Sequence, residues 1–270
     1  MGLVFDRNIA RVYEAWYSSQ QGRAIDSSIE RLVLALLKPK PMERVLDIGC
    51  GTGNNLLALS KLGLDVSGID ASGYMIEKAR ERLGNRCTLK KGIAEDLPFD
   101  DNEFDLAVLI NTLEFLDDPL KALREAGRVA NRKIFIGVLN SLSWNGLLKK
   151  IQGYLGDPLF SHVRFFNLWQ VRHLLHVAYG KVPISWGCIT IRPSFIQEPD
   201  LFGDVFMNWR HSPFGSFLGI SATMQYRVKT NGLPLKARLK KSRQSLIRAR
   251  TSEGLHREEE VNIDERGLSL

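Results

Sequence analysis

An α/β fold, a mostly parallel sheet covered by helices on both faces, is what this 270-residue sequence predicts. Three observations predict it. From about residue 27 to residue 178, helix-like and strand-like segments alternate at the short spacing of strand–helix–strand units. A glycine-rich turn at residues 49–53 joins an apolar strand to a helical stretch. The composition, 44% hydrophobic and 25% charged, excludes global disorder and a fibrous repeat.

The elements follow in order. Ser27-Ser28-Ile29-Glu30 has the form of a capping box and starts a helix through Leu37, which Lys38-Pro39 closes. Val45-Leu46-Asp47-Ile48 is a short buried strand running into Gly49, Gly51 and Gly53. Residues 54–62 have helical periodicity and stop at Gly63; 64–69 form a second strand, and 74–83 a helix ended by Gly84. Strands are expected at 87–91, 104–110 and 133–139, with a helix at 119–129. Then the rhythm loosens. Residues 140–166 and 193–214 are too long for simple connections, and fifteen of the 24 aromatics follow residue 140, so these stretches read as cap insertions. A helix at 168–178 and strands at 182–191 and 216–228 complete the expected set. The expected organisation is one domain over residues 1–229: N-terminal helices at 1–40, a core at 41–139, and the cap with the last strands at 140–229. A tail follows at 230–270, basic and then acidic, whose sparse leucines suit a frayed helix or disorder.

The net charge of +7 is local. Nine Lys and Arg residues and no acid lie between Arg227 and Arg250, which leaves residues 1–226 close to neutral. Cys50, Cys87 and Cys188 are too few and too scattered for a disulfide framework or a CxxC metal site. His173 and His176 share a helix face, but no third ligand stands in pattern with them, so no metal is expected. Asp6, Arg7 and Arg11 interrupt any signal-peptide layout, and the apolar run 32–37 is far short of a membrane span. A soluble, cytoplasmic protein is expected.

The glycine turn carries the functional information. Its pattern is G-x-G-x-G, with Asn54 where the dinucleotide fingerprint continues, and it lacks the Lys-Ser/Thr of a phosphate-cradling loop. Asp47 precedes the turn; that acid is ill placed beside a pyrophosphate and well placed beside a cationic ligand. Asp70 ends the second strand, where a carboxylate can accept both hydroxyls of a ribose. Beyond the third strand come Gly92-Ile93-Ala94-Glu95-Asp96 and then the fourth strand, ending at Asn111.

In this order and spacing, residues 45–139 resemble the class I S-adenosylmethionine-dependent methyltransferases, in the type 11-like, small-molecule group that includes quinone-biosynthesis enzymes. Phe5-Asp6-Arg7-Asn8-Ile9-Ala10-Arg11-Val12-Tyr13 and Trp16-Tyr17 match the family's N-terminal helix more loosely. The resemblance implies a Rossmann-like seven-stranded sheet with an antiparallel last strand, and S-adenosyl-L-methionine as cofactor. It implies that Gly49, Cys50, Gly51 and Gly53 carry the methionine part along the turn, with Asp47 orienting its amino group; with no basic neighbour to activate it, Cys50 itself reads as a small residue with its sulfur turned inward. Asp70 would hold the ribose, Ala71 and Met75 would pack on adenine, Ala94 and Glu95 would face its amino edge, and the Asn111 backbone would face the methionine end. Many relatives have Asp where this chain has Ile93, so adenine recognition here leans on Glu95 or Asp96.

A methyl group on a sulfonium is already activated, so transfer needs mainly an in-line acceptor in a dry pocket, and a base only if the acceptor arrives protonated. Tyr17, Glu114, His162 and His211 are the candidate bases; none stands in a motif that fixes its role. Asn111-Thr112-Leu113-Glu114 is not the Asn/Asp-Pro-Pro-aromatic strip that positions nucleobase amines, and the Pro-Cys of cytosine C5 enzymes is missing. Nucleic acid is therefore disfavoured, and the aromatic-rich stretches 140–166 and 193–214, with Trp16 and Tyr17, are where a cap over a small apolar or aromatic acceptor is expected. The alternatives are a nucleic-acid or ribosomal enzyme docked by the basic tail and a non-catalytic cofactor-binding relative. An anionic surface is a further partner for the tail.

Overall fold

A computed structural model describes residues 2–143, 163–190 and 212–224 of the chain. Seven strands form one sheet: β1 Arg44–Ile48, β2 Asp65–Asp70, β3 Thr88–Lys91, β4 Phe104–Ile110, β5 Ala130–Leu139, β6 Ile184–Ile189 and β7 Phe217–Thr223. Their order is β3-β2-β1-β4-β5-β7-β6. The pairs among β1 to β5 are parallel, and β7 runs antiparallel to both β5 and β6. This is the sheet that the resemblance implies, antiparallel last strand included.

Six α-helices of the described residues flank it: α1 Arg7–Ser18, α2 Gln20–Leu37, α3 Asn54–Ser60, α4 Gly73–Leu83, α5 Pro119–Val129 and α6 Leu168–Tyr179. Their ends have local causes. The Asp6 carboxylate accepts from Asn8 N and Ile9 N; Asp118 caps α5 ahead of Pro119 in the first turn; and Asn167 with Gln170 makes a full capping box on α6. The start expected at Ser27 is corrected. The helix begins seven residues earlier, where Ser19 accepts from Gly22 N at 3.0 Å, and Ser28 lies inside it with its hydroxyl bonded back to Ala24 O.

Alternate residues of the strands feed two cores. Leu46, Ile48, Ala107, Leu109, Ile134 and Ile136 pack under α5 and α6, whereas Val45, Val66, Leu106, Val108, Ile110 and Phe135 pack under α2, α3 and α4. Both faces of β4 are buried, which is why it reads as an unbroken apolar run. Each fully buried Leu, Ile or Phe contributes about 1.5–3 kcal/mol of transfer free energy. Asp105 accepts from Arg44 N at 2.9 Å and so ties the starts of β1 and β4. No helix among the described residues is long and apolar enough to cross a membrane. The central parts of both expected cap insertions, His162 and His211 within them, and the 230–270 tail lie outside the described residues.

Candidate cofactor site

The strand order reverses between β1 and β4, and a crevice opens at their carboxyl ends. The turn after β1 fills its floor. Gly49 N and Cys50 N both donate to Ile69 O, at 2.8 and 3.1 Å, folding the turn over the end of β2. Gly49, Gly51 and Gly53 have φ of +76°, +53° and +79°, the left-handed region that glycine enters at no steric cost. At Gly49 a Cβ would lie 2.5 Å from Thr112 Oγ1, so this position is closed to any side chain. At Gly51 the nearest atom to a Cβ would be Tyr13 Cε1 at 4.0 Å; a side chain there would project into the open crevice.

The crevice is a cavity of about 340 Å³. Its walls include Gly49, Gly51, Asp70, Ala71, Met75, Ala94, Glu95 and Asn111, eight of the expected cofactor residues, brought together from four strand ends. Asp47, Cys50 and Gly53 are not in the wall. The Cys50 side chain is buried and turned toward β2, its sulfur against Gly68, and burial raises its thiol pKa. Gly53 packs against Leu83 and Ala79 of α4.

Asp70 has two duties. Its Oδ2 accepts from Gly51 N at 2.9 Å and its Oδ1 from Ser72 N at 2.8 Å, so the carboxylate holds the turn and the start of α4. Each oxygen keeps a second lone pair for a ligand hydroxyl. Burial raises its pKa, and the two N–H groups work against that rise.

Asp47 is the unusual group. It is fully buried, and neither carboxylate oxygen has a hydrogen-bond partner. Burial, and then the charge of Asp70, pushes its pKa up to about 7, while the approach of Asn55 lowers it without completing a bond. An unpaired buried carboxylate costs several kcal/mol when ionised. A cationic group beside it removes that cost, so Asp47 fits the amino or sulfonium end of the expected cofactor.

Three parts of the wall have no motif in the sequence. Residues 2–5 cross the crevice, tied by Leu3 N to Phe115 O at 3.0 Å and by Ser72 Oγ to Phe5 O at 2.6 Å. Tyr13 of α1 lines the cavity, and Phe5 stands edge-on to both Tyr13 and Phe115. Thr112 donates from Oγ1 to Ile48 O at 2.9 Å, joining the ends of β4 and β1. Such contacts link residues far apart in the chain, and only the aromatic residues of the N-terminal stretch hint at them.

Two of the four candidate bases are described. Tyr17 faces the side chains of Tyr13 and Asn111, and burial pushes its pKa up to about 12. Glu114 is buried in the turn after β4 and outside the cavity wall; its Oε1 accepts from Leu139 N at 2.7 Å and its Oε2 has no partner. Burial pushes its pKa up to about 8. Near pH 7 both side chains are protonated.

Known proteins resemble this chain in sequence and in fold. Residues 46–133 match the family described as a methyltransferase domain. The chain is 37% identical over 146 residues to an uncharacterised protein of Methanocaldococcus jannaschii, across 53% of this chain and 64% of that one. It is 36% identical over 132 residues to an uncharacterised methyltransferase of Mycobacterium bovis, across 47% and 54%. The chain thus spans between about half and two thirds of the length of these relatives. A crystal structure from Thermotoga maritima, titled a SAM-dependent methyltransferase and possible histamine N-methyltransferase, aligns with a TM-score of 0.62. That alignment covers 81% of this chain and 97% of that one at 24% identity, a likeness of fold. The stretch that matches the methyltransferase-domain family, residues 46–133, is carried on a Rossmann-like sheet.

Proposed function

We propose that the protein transfers a methyl group from S-adenosyl-L-methionine to a small apolar or aromatic acceptor. The observation that carries the cofactor part of this reading is Asp47, a fully buried carboxylate without a hydrogen-bond partner directly before the glycine turn, with Asp70 beside the cavity. When bound, the cofactor supplies an activated methyl group on sulfur.

The chain's own residues bind and orient. Asp47 balances positive charge from below the turn. Asp70 accepts ribose hydroxyls with its free lone pairs, and Met75 and Ala71 give the base an apolar seat. Glu95, in the wall beside Ala94, offers a carboxylate to the adenine amino edge. Asn111, at φ +51° and bonded through its N–H to Gly137 O, turns the chain at the end of β4 and presents the wall of the methionine end. Residues 2–5 and Tyr13 exclude water from above. Tyr17 and Glu114 are protonated near neutral pH, so neither takes a proton from the acceptor there.

Calorimetric titration with S-adenosylhomocysteine tests the reading. The wild type is expected to bind with a dissociation constant in the micromolar range. Asp70→Ala is expected to weaken binding at least about a hundredfold, since one change removes both the diol acceptor and the Gly51 clamp. A wild type that does not bind, or an Asp70→Ala variant that binds equally well, sinks it.

A further inference from the structure

The three glycines of the turn are held by three different side chains. Thr112 closes on Gly49, and Asp70 accepts from Gly51 N. The third clamp comes from Arg82, in the last turn of α4 and away from the cavity wall. Its Nη1 donates to Thr52 O at 3.0 Å, to Thr52 Oγ1 at 2.9 Å and to Asn54 Oδ1, so these bonds bracket Gly53 on both sides. On α2, Asp26 is close enough to Arg82 for the guanidinium to lower its pKa, against burial and Glu30, which together leave it raised to about 6.

We propose that Arg82 is a positioning residue for the cofactor: from the end of α4 it fixes residues 52–54 in the conformation that the bound cofactor requires, without touching it. The proposal rests on the cofactor reading above. A segment with three glycines samples many backbone states, and a ligand binds only the competent fraction, so apparent affinity scales with that fraction. The Arg82 residue is solvent-exposed, and hydrogen bonds from such a group contribute little to global stability. Loss of the clamp therefore appears in ligand affinity and not in the melting temperature. Leu83 and Ala79, packed on Gly53 from the same helix, keep α4 in place when the guanidinium is removed.

The test titrates the full chain with S-adenosylhomocysteine and melts each protein without ligand. Arg82→Ala is expected to raise the dissociation constant about tenfold, the equivalent of one net hydrogen bond, and Arg82→Lys, which keeps the charge and one donor direction, by less. Thr52→Val is expected to weaken binding in the same direction, and the double variant Arg82→Ala/Thr52→Val to bind no worse than Arg82→Ala alone, because the two groups share a bond. Ligand-free melting temperatures are expected to stay within about 2 °C of wild type. A wild type that does not bind overturns the cofactor reading itself. A wild type that binds while Arg82→Ala binds equally well overturns the positioning role. So does an affinity loss matched by a large drop in ligand-free melting temperature. Should Arg82→Ala fail to fold, unchanged affinity in both Arg82→Lys and Thr52→Val overturns it instead.

Discussion

Asp47, directly before the glycine turn, is a buried carboxylate whose protonation differs between the native and the unfolded chain. Its pKa rises from 3.8 to about 7, so between those values the native state holds a proton that the unfolded chain has released. Native stability from this group therefore falls as pH rises across that window, and Glu114, raised from 4.5 to about 8, acts in the same direction. The ligand-free protein is expected to lose part of its stability between about pH 5 and pH 8, and Asp47→Asn with Glu114→Gln to flatten that slope in thermal melts. Binding runs the opposite way. A cationic ligand favours the ionised carboxylate, so binding near pH 6.5, a little below the raised pKa, is expected to release a fraction of a proton, read as a buffer-dependent heat. Asp47→Asn is expected to abolish the release and weaken S-adenosylhomocysteine about tenfold, while the ligand-free melting temperature rises. A residue that destabilises the empty fold and strengthens the filled one is placed for function. Unchanged affinity and unchanged proton release in Asp47→Asn count against that account.

Within the glycine turn, the three residues are not equivalent. Gly49→Ala puts a Cβ 2.5 Å from Thr112 Oγ1 and 2.6 Å from its Cγ2, at a φ of +76°. Gly51→Ala meets nothing closer than 4.0 Å and carries only the left-handed backbone term, about 1 kcal/mol. Gly49→Ala is thus expected to lower the melting temperature more than Gly51→Ala. Gly51→Ala is expected to leave the fold nearly intact and still weaken S-adenosylhomocysteine, because its methyl group enters the cavity. Equal destabilisation by the two changes contradicts this ordering. The elements themselves were largely legible from periodicity. β4 and α5 fall at the residues expected, because an unbroken apolar run and an Asp-Pro helix start are local signals. The start of α2 was not: Ser27 and Glu30 imitate a capping box, while Ser19, the residue that caps, lies upstream of the stretch that reads as helical. The cavity wall was legible where motifs are contiguous, as at Gly49, Gly51 and Asp70. It was not legible at Thr112 and Arg82, whose partners lie 64 and 30 residues away and whose roles exist only after the sheet and α4 are packed.

At the level of the whole molecule, charge and site separate. The net charge of +7 comes from the stretch between Arg227 and Arg250, beyond the last described strand. The cavity wall, by contrast, carries the acids Asp70, Glu95, Asp117 and Asp118 against a single base, Lys121. An acidic wall suits a cationic cofactor. Among the described residues, the bonds that shape the glycine turn, from Ile69, Asp70, Thr112 and Arg82, come from residues before 140. Truncation after Lys229 is accordingly expected to leave the dissociation constant for S-adenosylhomocysteine unchanged. The same truncation is expected to remove salt-sensitive retention on an anionic matrix such as heparin, since nine bases and their counterion release go with it or lie at its edge. A truncated chain that loses S-adenosylhomocysteine affinity makes the tail part of the site; one that keeps its anionic retention moves the basic surface onto the domain.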